Sequence, residues 1–264
     1  MNDDSDSQGA SLRIHTLGGF RVWRDDFEVH SGSWGREKAV HLFQFFVTRR
    51  GQPLHKEQIV DRLWPELDFE TGDRDFKVAL NALYKAIEPE REARAPSRFI
   101  LRHGLTYQLD LEEAWVDAQA FETHVELGNR LSAGDSAAAL QHYRLAVDLY
   151  QGDYLPERRY EDWSSSERER MRLLALATMV RLADLLLGVN SLESLRLTQR
   201  VLALDPLWED AYRVQMRAHL AGGNRPMVIR TYQKCADVLK REFGLEPLPE
   251  TRRIYESVRS EIDE

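Results

Sequence analysis

The chain has one cysteine, Cys235. A lone thiol cannot close an internal disulfide, and no second cysteine offers metal-ligand spacing, so a disulfide scaffold and a cysteine-based zinc module are both excluded. Cys235 lies among apolar helix residues and reads as a packed thiol rather than a reactive one. No apolar run reaches the about 18 residues that a membrane span needs. Met1 to Gly9 is polar and carries Asp3, Asp4 and Asp6, where a signal peptide would be basic and then apolar. We read residues 1–11 as a disordered tail and the chain as cytoplasmic, with no membrane partner. Catalytic signatures are missing as well: there is no Walker loop, GxSxG, HExxH, CxxC or GxGxxG. The eight histidines are dispersed, none three or four residues from another. We therefore expect no catalytic residues, no cofactor and no metal, and the chain does not read as an enzyme. A receiver-like domain with a phosphorylatable aspartate is also lacking.

An excess of positive charge is the last absence. The net charge of -8 argues against a protein that coats nucleic acid without regard to sequence. Local placement differs, however. Leu12 to Leu111 holds 16 Lys/Arg against 15 Asp/Glu, whereas Glu112 to Glu264 holds 20 against 26. The first half is the better place for a phosphate-facing surface.

What is present is a change of period along the chain. Leu12 to Leu17 and Phe20 to Trp23 alternate apolar and polar, and Phe27 to Val29 follows the Asp25-Asp26 turn, which predicts a small antiparallel sheet. Arg36 to Arg50 then places Ala39, Leu42, Phe43, Phe46 and Val47 on one helical face, and Gly51 stops it. A second helix is predicted from about Lys56 to Trp64, closed by Pro65. An acidic loop from Pro65 to Asp73 precedes a third helix from about Asp73 to Ile87. Phe76, Leu80, Leu83 and Ile87 form its apolar stripe. Phe99 to Gly104 and Leu105 to Leu109 read as a hairpin.

The second half has almost no strand signal. Helices are predicted at 117–132, 136–150, 164–188, 191–204, 207–221, 225–242 and 248–262. Ser164 and Ser166 each precede a glutamate by three residues, which suggests capping boxes. Leu204-Asp-Pro-Leu-Trp-Glu209 recurs 41 residues later as Leu245-Glu-Pro-Leu-Pro-Glu250. Each copy leads into a helix, as stacked helical hairpins require.

Several stretches in this order carry a family resemblance. They are Leu17-Gly-Gly-Phe-Arg-Val22, Arg36-Glu-Lys-Ala-Val-His-Leu42, Ile59-Val-Asp-Arg-Leu-Trp64, Tyr107-Gln-Leu-Asp110, Val116-Asp-Ala-Gln-Ala-Phe-Glu122, Leu149-Tyr-Gln-Gly152 and Phe243-Gly-Leu-Glu-Pro247. With them the chain resembles the Streptomyces antibiotic regulatory protein family from about Leu12 to Ile262. The resemblance implies an α+β N-terminal winged helix-turn-helix of the OmpR type (12–112). An all-α tetratricopeptide-like repeat domain, the bacterial transcriptional activator domain (113–264), would follow. It also implies an activator that binds repeated half-sites on double-stranded DNA, as a homodimer at least on DNA, and contacts RNA polymerase through its sigma or alpha subunit. Three departures stand out. His55 opens the second helix where a small hydroxyl residue is usual, the hairpin is leaner in glycine, and Tyr84 stands where arginine is common.

Candidate DNA-binding residues follow from the helix stripe. With Phe76, Leu80, Leu83 and Ile87 inward, Arg74, Lys77, Val78, Asn81 and Lys85 face outward. Arginine and asparagine can each make paired hydrogen bonds to base edges, and valine can touch a thymine methyl. Lys85 suits a phosphate. Any amphipathic helix leaves one solvated face, so the winged-helix order around this one decides the reading. The hairpin adds Arg98, Arg102 and His103 for a neighbouring groove or phosphates. Lys56 could join backbone N–H groups in a phosphate contact. Glu66, Asp68, Phe69 and Glu70 are too acidic to face DNA and form a candidate polymerase-contact loop. Trp163, Trp208, Tyr212 and Tyr232 read first as core or interhelix packing; on the other reading they are candidate groove residues of the repeat domain, where a small-molecule or protein effector could bind. The alternative reading is an effector- or peptide-sensing adaptor that uses the repeat groove, with DNA binding secondary.

Overall fold

The computed structural model describes residues 11–112 and 114–260. Apart from Ser11, the predicted N-terminal tail lies outside the described residues, as does the end of the last predicted helix. The chain divides into two compact units. The first takes the described residues up to Glu122 together with Leu149–Arg172; the second takes Thr123–Asp148 and the chain from Leu173 onward.

In the first unit, β1 (Leu12–His15), β2 (Arg21–Arg24) and β3 (Phe27–Glu28) form the expected antiparallel meander. A fourth strand, β7 (Ala114–Val116), lies parallel to β1 and gives the order β3-β2-β1-β7. The sheet is thus mixed rather than purely antiparallel. Three residues are too few for alternation to announce a strand. Helix α1 (Glu37–Thr48) is buried nearly all round, with Leu42, Phe43, Phe45 and Phe46 in the core. It is followed by β4 (Leu54–His55) and α2 (Lys56–Leu63). The hairpin of β5 (Ile100–His103) and β6 (Thr106–Leu109) accepts β4 on its β6 edge, in the order β4-β6-β5. Three helices and this hairpin form the winged helix.

Helix α3 runs Phe69–Ile87, four residues longer at its start than the sequence pattern predicts. Asp68 caps it: its Oδ1 accepts from the Thr71 N–H at 2.9 Å, and Thr71 Oγ1 donates to Oδ2 at 3.0 Å. Most of the predicted acidic loop is therefore the first turn of a helix. Gly72 disguises this turn, but it is buried where α3 meets α2. A Cβ there would stand 2.5 Å from Val60 Cγ1.

Three of the stretches behind the family resemblance meet in space. Asp117 is almost completely buried. It accepts from the Thr16 N–H and hydroxyl, the Leu17 N–H and the Ala118 N–H, all within 2.9 Å. The Gly18 N–H donates to Asp153 O at 3.0 Å, and Leu155 N–H to Thr16 O at 2.9 Å. Gly18 has φ +90°, and a Cβ on it would sit 2.9 Å from the Gln151 carbonyl carbon, so glycine is required twice over. Arg50 pairs with Glu122 at 2.6 Å and also with Glu167; Arg170 pairs with both acids. Burial would raise the Glu167 carboxyl, but Arg170 and Arg50 outweigh it and hold it below the usual range.

The second unit is helical. Its elements come from α4 (Asp117–Leu131), α5 (Ser136–Leu149), α6 (Asp162–Leu185), α7 (Ser191–Leu204), α8 (Glu209–Ala221), α9 (Arg225–Phe243) and α10 (Pro249–Ser260). Each of the last four packs against its chain neighbour, the pattern of a tetratricopeptide-like stack. Gly128 on α4 lets the Tyr143 ring of α5 lie where a Cβ would be 2.6 Å away. The predicted capping boxes at the start of α6 do not form. The helix begins at Asp162, and the Ser164 hydroxyl donates to the Glu161 and Arg158 carbonyls instead. The two repeat copies do lead into α8 and α10. Glu209 of the first copy accepts from the Leu248 N–H at 2.7 Å and the Thr251 hydroxyl at 2.5 Å, so one copy caps the helix of the next.

Candidate nucleic-acid interface

Helix α3 separates its residues cleanly. Phe76, Ala79, Leu80, Leu83, Ala86 and Ile87 are buried, and Arg74, Lys77, Val78, Asn81 and Lys85 are all exposed. From Arg74 to Lys85 the exposed face extends about 17 Å at 1.5 Å per residue, long enough to follow a major groove about 12 Å wide. Tyr84, half-buried, does not belong to this face; the Arg91 guanidinium lies 4.2 Å from its ring centroid.

The lysines of the site are not equivalent. Lys77 reaches Asp73 Oδ2 at 2.6 Å, and Lys56 reaches Asp73 Oδ1 at 2.6 Å. Hydrogen bonds from Lys56 and then Lys77 hold the Asp73 carboxyl below its usual range. The Lys56 side chain is only 13% exposed, and its ammonium sits 5.6 Å from the Phe69 ring centroid. Among the described residues no carboxylate pairs with Lys85.

The expectation that backbone N–H groups beside Lys56 would receive a phosphate is corrected. Lys56 N–H donates to Leu105 O at 2.8 Å, and Glu57 N–H to His55 Nδ1 at 3.4 Å. Gln58 Oε1 accepts from the His55 N–H at 3.1 Å, so His55 forms a reciprocal cap after all.

Arg102 and His103 lie at the β5–β6 turn, and both are exposed. Arg102 Nε donates to Gly104 O at 3.0 Å, and the guanidinium lies 5.5 Å from the Tyr107 ring centroid. Arg98 is not part of this tip. It precedes β5, its N–H donates to Glu88 Oε1 at 2.7 Å, and its guanidinium lies over Phe99. A four-residue strand separates it from the turn by about 13 Å.

Glu66, Asp68, Phe69 and Glu70 are all exposed around the start of α3. Asp68 is committed as the cap, and Thr71 N–H lowers its carboxyl's proton affinity. Glu70 stands in the first helical turn, where negative charge is favoured.

The aromatic groove candidates fall apart as a group. Trp163 belongs to the first unit, where its ring packs edge-on against Phe45 and His41. Tyr212 is buried, its hydroxyl donating to Pro206 O at 3.1 Å. Tyr232 stacks on Tyr255 with centroids 4.2 Å apart. Trp208 is half-buried at the start of α8. In the second unit a cavity of about 480 Å³ is lined instead by Asn129, Ser132, Tyr143, Arg181, Asp184 and Leu185. Asn129 Oδ1 there accepts from the Tyr143 hydroxyl at 2.8 Å and from Arg181. His124 and His142 also come together, ring nitrogens 3.1 Å apart, although 18 residues separate them. Cys235 is buried, and burial pushes its thiol up to about 12. Among the described residues no three His, Cys, Asp or Glu side chains gather at metal-binding distance, and no helix is long and apolar enough to cross a membrane.

The family model of the bacterial transcriptional activator domain matches residues 116–259, more than half of the chain. The chain belongs to the bacterial transcriptional activator domain family. The resemblance read from the sequence is borne out over these residues. Regulatory protein AfsR of Streptomyces coelicolor is 25% identical over 259 residues, which covers 96% of this chain and 25% of the relative. This member of the activator domain family thus spans about a quarter of that relative's length. The structure of Mycobacterium tuberculosis EmbR, in complex with a low-affinity phosphopeptide, matches with a TM-score of 0.79 at 15% identity. It covers 95% of this chain and 65% of the EmbR chain. At that identity the match speaks for the fold: a winged helix followed by tetratricopeptide-like helices.

Proposed function

We propose that this bacterial transcriptional activator domain protein is a sequence-specific DNA-binding regulator, with α3 as the recognition helix and the β5–β6 turn as the wing. One observation carries the reading. Arg74, Lys77, Val78, Asn81 and Lys85 share the exposed face of a helix whose opposite face is wholly committed to the core. Arg74 and Asn81 are suited to base edges, Val78 to a thymine methyl, and Lys85, Arg102 and His103 to phosphates or an adjacent groove. Arg98 would contact the backbone separately from the wing tip, and Lys56 only by leaving Asp73.

The regulator would act as an activator at repeated half-sites, as a homodimer on DNA. Glu66, Phe69 and Glu70, beside the Asp68 cap, would meet RNA polymerase. The cavity lined by Asn129, Tyr143 and Arg181 is the place for a small effector. A relative that is named a regulatory protein supports this role. Selection of binding sites from a random duplex library tests it. The native chain should enrich a repeated motif that an Arg74→Ala/Lys77→Ala/Asn81→Ala variant loses or relaxes. Enrichment by neither, with both folded, would overturn DNA reading in favour of the adaptor.

A further inference from the structure

We infer that Asp73 sets the sequence specificity of the α3 face by holding Lys56 and Lys77 away from phosphate. The inference rests on the DNA-binding reading above. Its starting point is one carboxylate between two ammonium groups, each at 2.6 Å. Asp73 lies one helical turn before Lys77, on the first unit's exposed recognition helix, and Lys56 approaches from the start of α2.

The consequence for charge is direct. Two lysines would present two positive charges to the DNA backbone; with Asp73 between them the group presents one. Binding without regard to sequence depends almost wholly on such charges, through release of counterions from phosphate. Base-edge contacts from Arg74 and Asn81 do not. A carboxylate that occupies the lysines therefore weakens loose, sequence-independent complexes most and leaves the base contacts to discriminate. Lys85, which no carboxylate among the described residues pairs with, remains as the phosphate contact of the same helix.

The test compares single variants of the full chain, all checked for native thermal unfolding, on a random-sequence duplex across a range of salt. Each phosphate contact contributes about 0.9 to the slope of log affinity against log salt. Lys85→Gln should lower the slope by about that much, and Lys77→Gln by much less, because Lys77 is already occupied. Asp73→Asn should steepen the slope by about 1 and tighten binding to the random duplex several-fold at low salt. A Lys77→Gln loss equal to that of Lys85→Gln would overturn the inference without any need for the Asp73 variant. So would a folded Asp73→Asn chain that binds the random duplex no tighter than native. A native chain with no salt-dependent duplex binding would overturn the DNA reading itself, and the inference with it.

Discussion

Asp117 ties the first strand to the start of α4. Its carboxylate takes up the backbone N–H groups of Thr16, Leu17 and Ala118 and the Thr16 hydroxyl. Burial raises its proton affinity, while the hydrogen bonds from Leu17 and Thr16 lower it. Asp117→Ala would strand these donors in the core. We expect a loss of about 3 kcal/mol or more, read from urea unfolding. At the acidic end of α3 the residues also divide by role. Charge reversal at Glu66 and Glu70 should abolish transcriptional activation and spare DNA binding; parallel loss of both would remove the polymerase-contact proposal. Reversal at Asp68 should instead destabilise α3 by removing its cap, which lowers the melting temperature. The outward residues of α3 were readable because a 3.6-residue period fixes faces without any knowledge of the partner elements. The Asp73 ion pairs were half-readable, since Lys77 lies at the i+4 position, but Lys56 lies 17 residues away and needed the fold. The pairing of His124 with His142 left no sequence trace, because it joins two helices.

Among the elements, α2 and α3 meet closely at Gly72. Gly72→Ala would ordinarily favour a helix by about 1 kcal/mol. Here the new Cβ would overlap Val60 Cγ1, so the variant should be less stable by about 1–3 kcal/mol, and Val60→Ala should restore part of the loss. Thermal unfolding of the two single variants and the double variant checks this. The same glycine explains why the start of α3 reads as a loop in sequence. A glycine among acidic residues carries every loop signal, and only the approach of Val60 reveals its purpose. Apart from the start of α3, the long helices were legible to within a few residues, whereas β4 and β7, two and three residues long, were not. Such strands exist because a neighbour offers an edge, which is information held elsewhere in the chain. The unit to which Trp163 belongs was hidden for a related reason. Its helix is continuous with repeat-domain helices in sequence, but its ring packs on α1.

For the molecule as a whole, acid is a predictable weakness. Burial, with Arg21 and Arg13, lowers His15 to about 4; burial, with Arg158, lowers His41 to about 4 against the pull of Glu161. The unfolded chain accepts protons on these rings near pH 6.5, and the native chain resists them. Their contribution to stability is therefore complete above about pH 6.5 and is lost as pH falls toward about 4. Asp117, whose proton affinity burial raises, works in the opposite direction. His41→Gln should flatten the fall of the unfolding free energy with acid, read from urea titrations, by about 1 kcal/mol at about pH 5. An unchanged pH profile would mean that folding leaves the proton affinity of the ring unaltered.

The first unit is not one stretch of chain: Leu149–Arg172 returns to it after a helical excursion. Tyr154, Leu155 and Trp163, all buried in it, come from that returning stretch. A fragment cut at Glu112 would keep every proposed DNA-reading residue and lose β7, Asp117 and this second instalment of its core. The proposed reading head is thus not a portable cassette. A graft of this unit will keep its fold only if it carries both stretches, so it can be exchanged by replacing two segments together but not by a single splice.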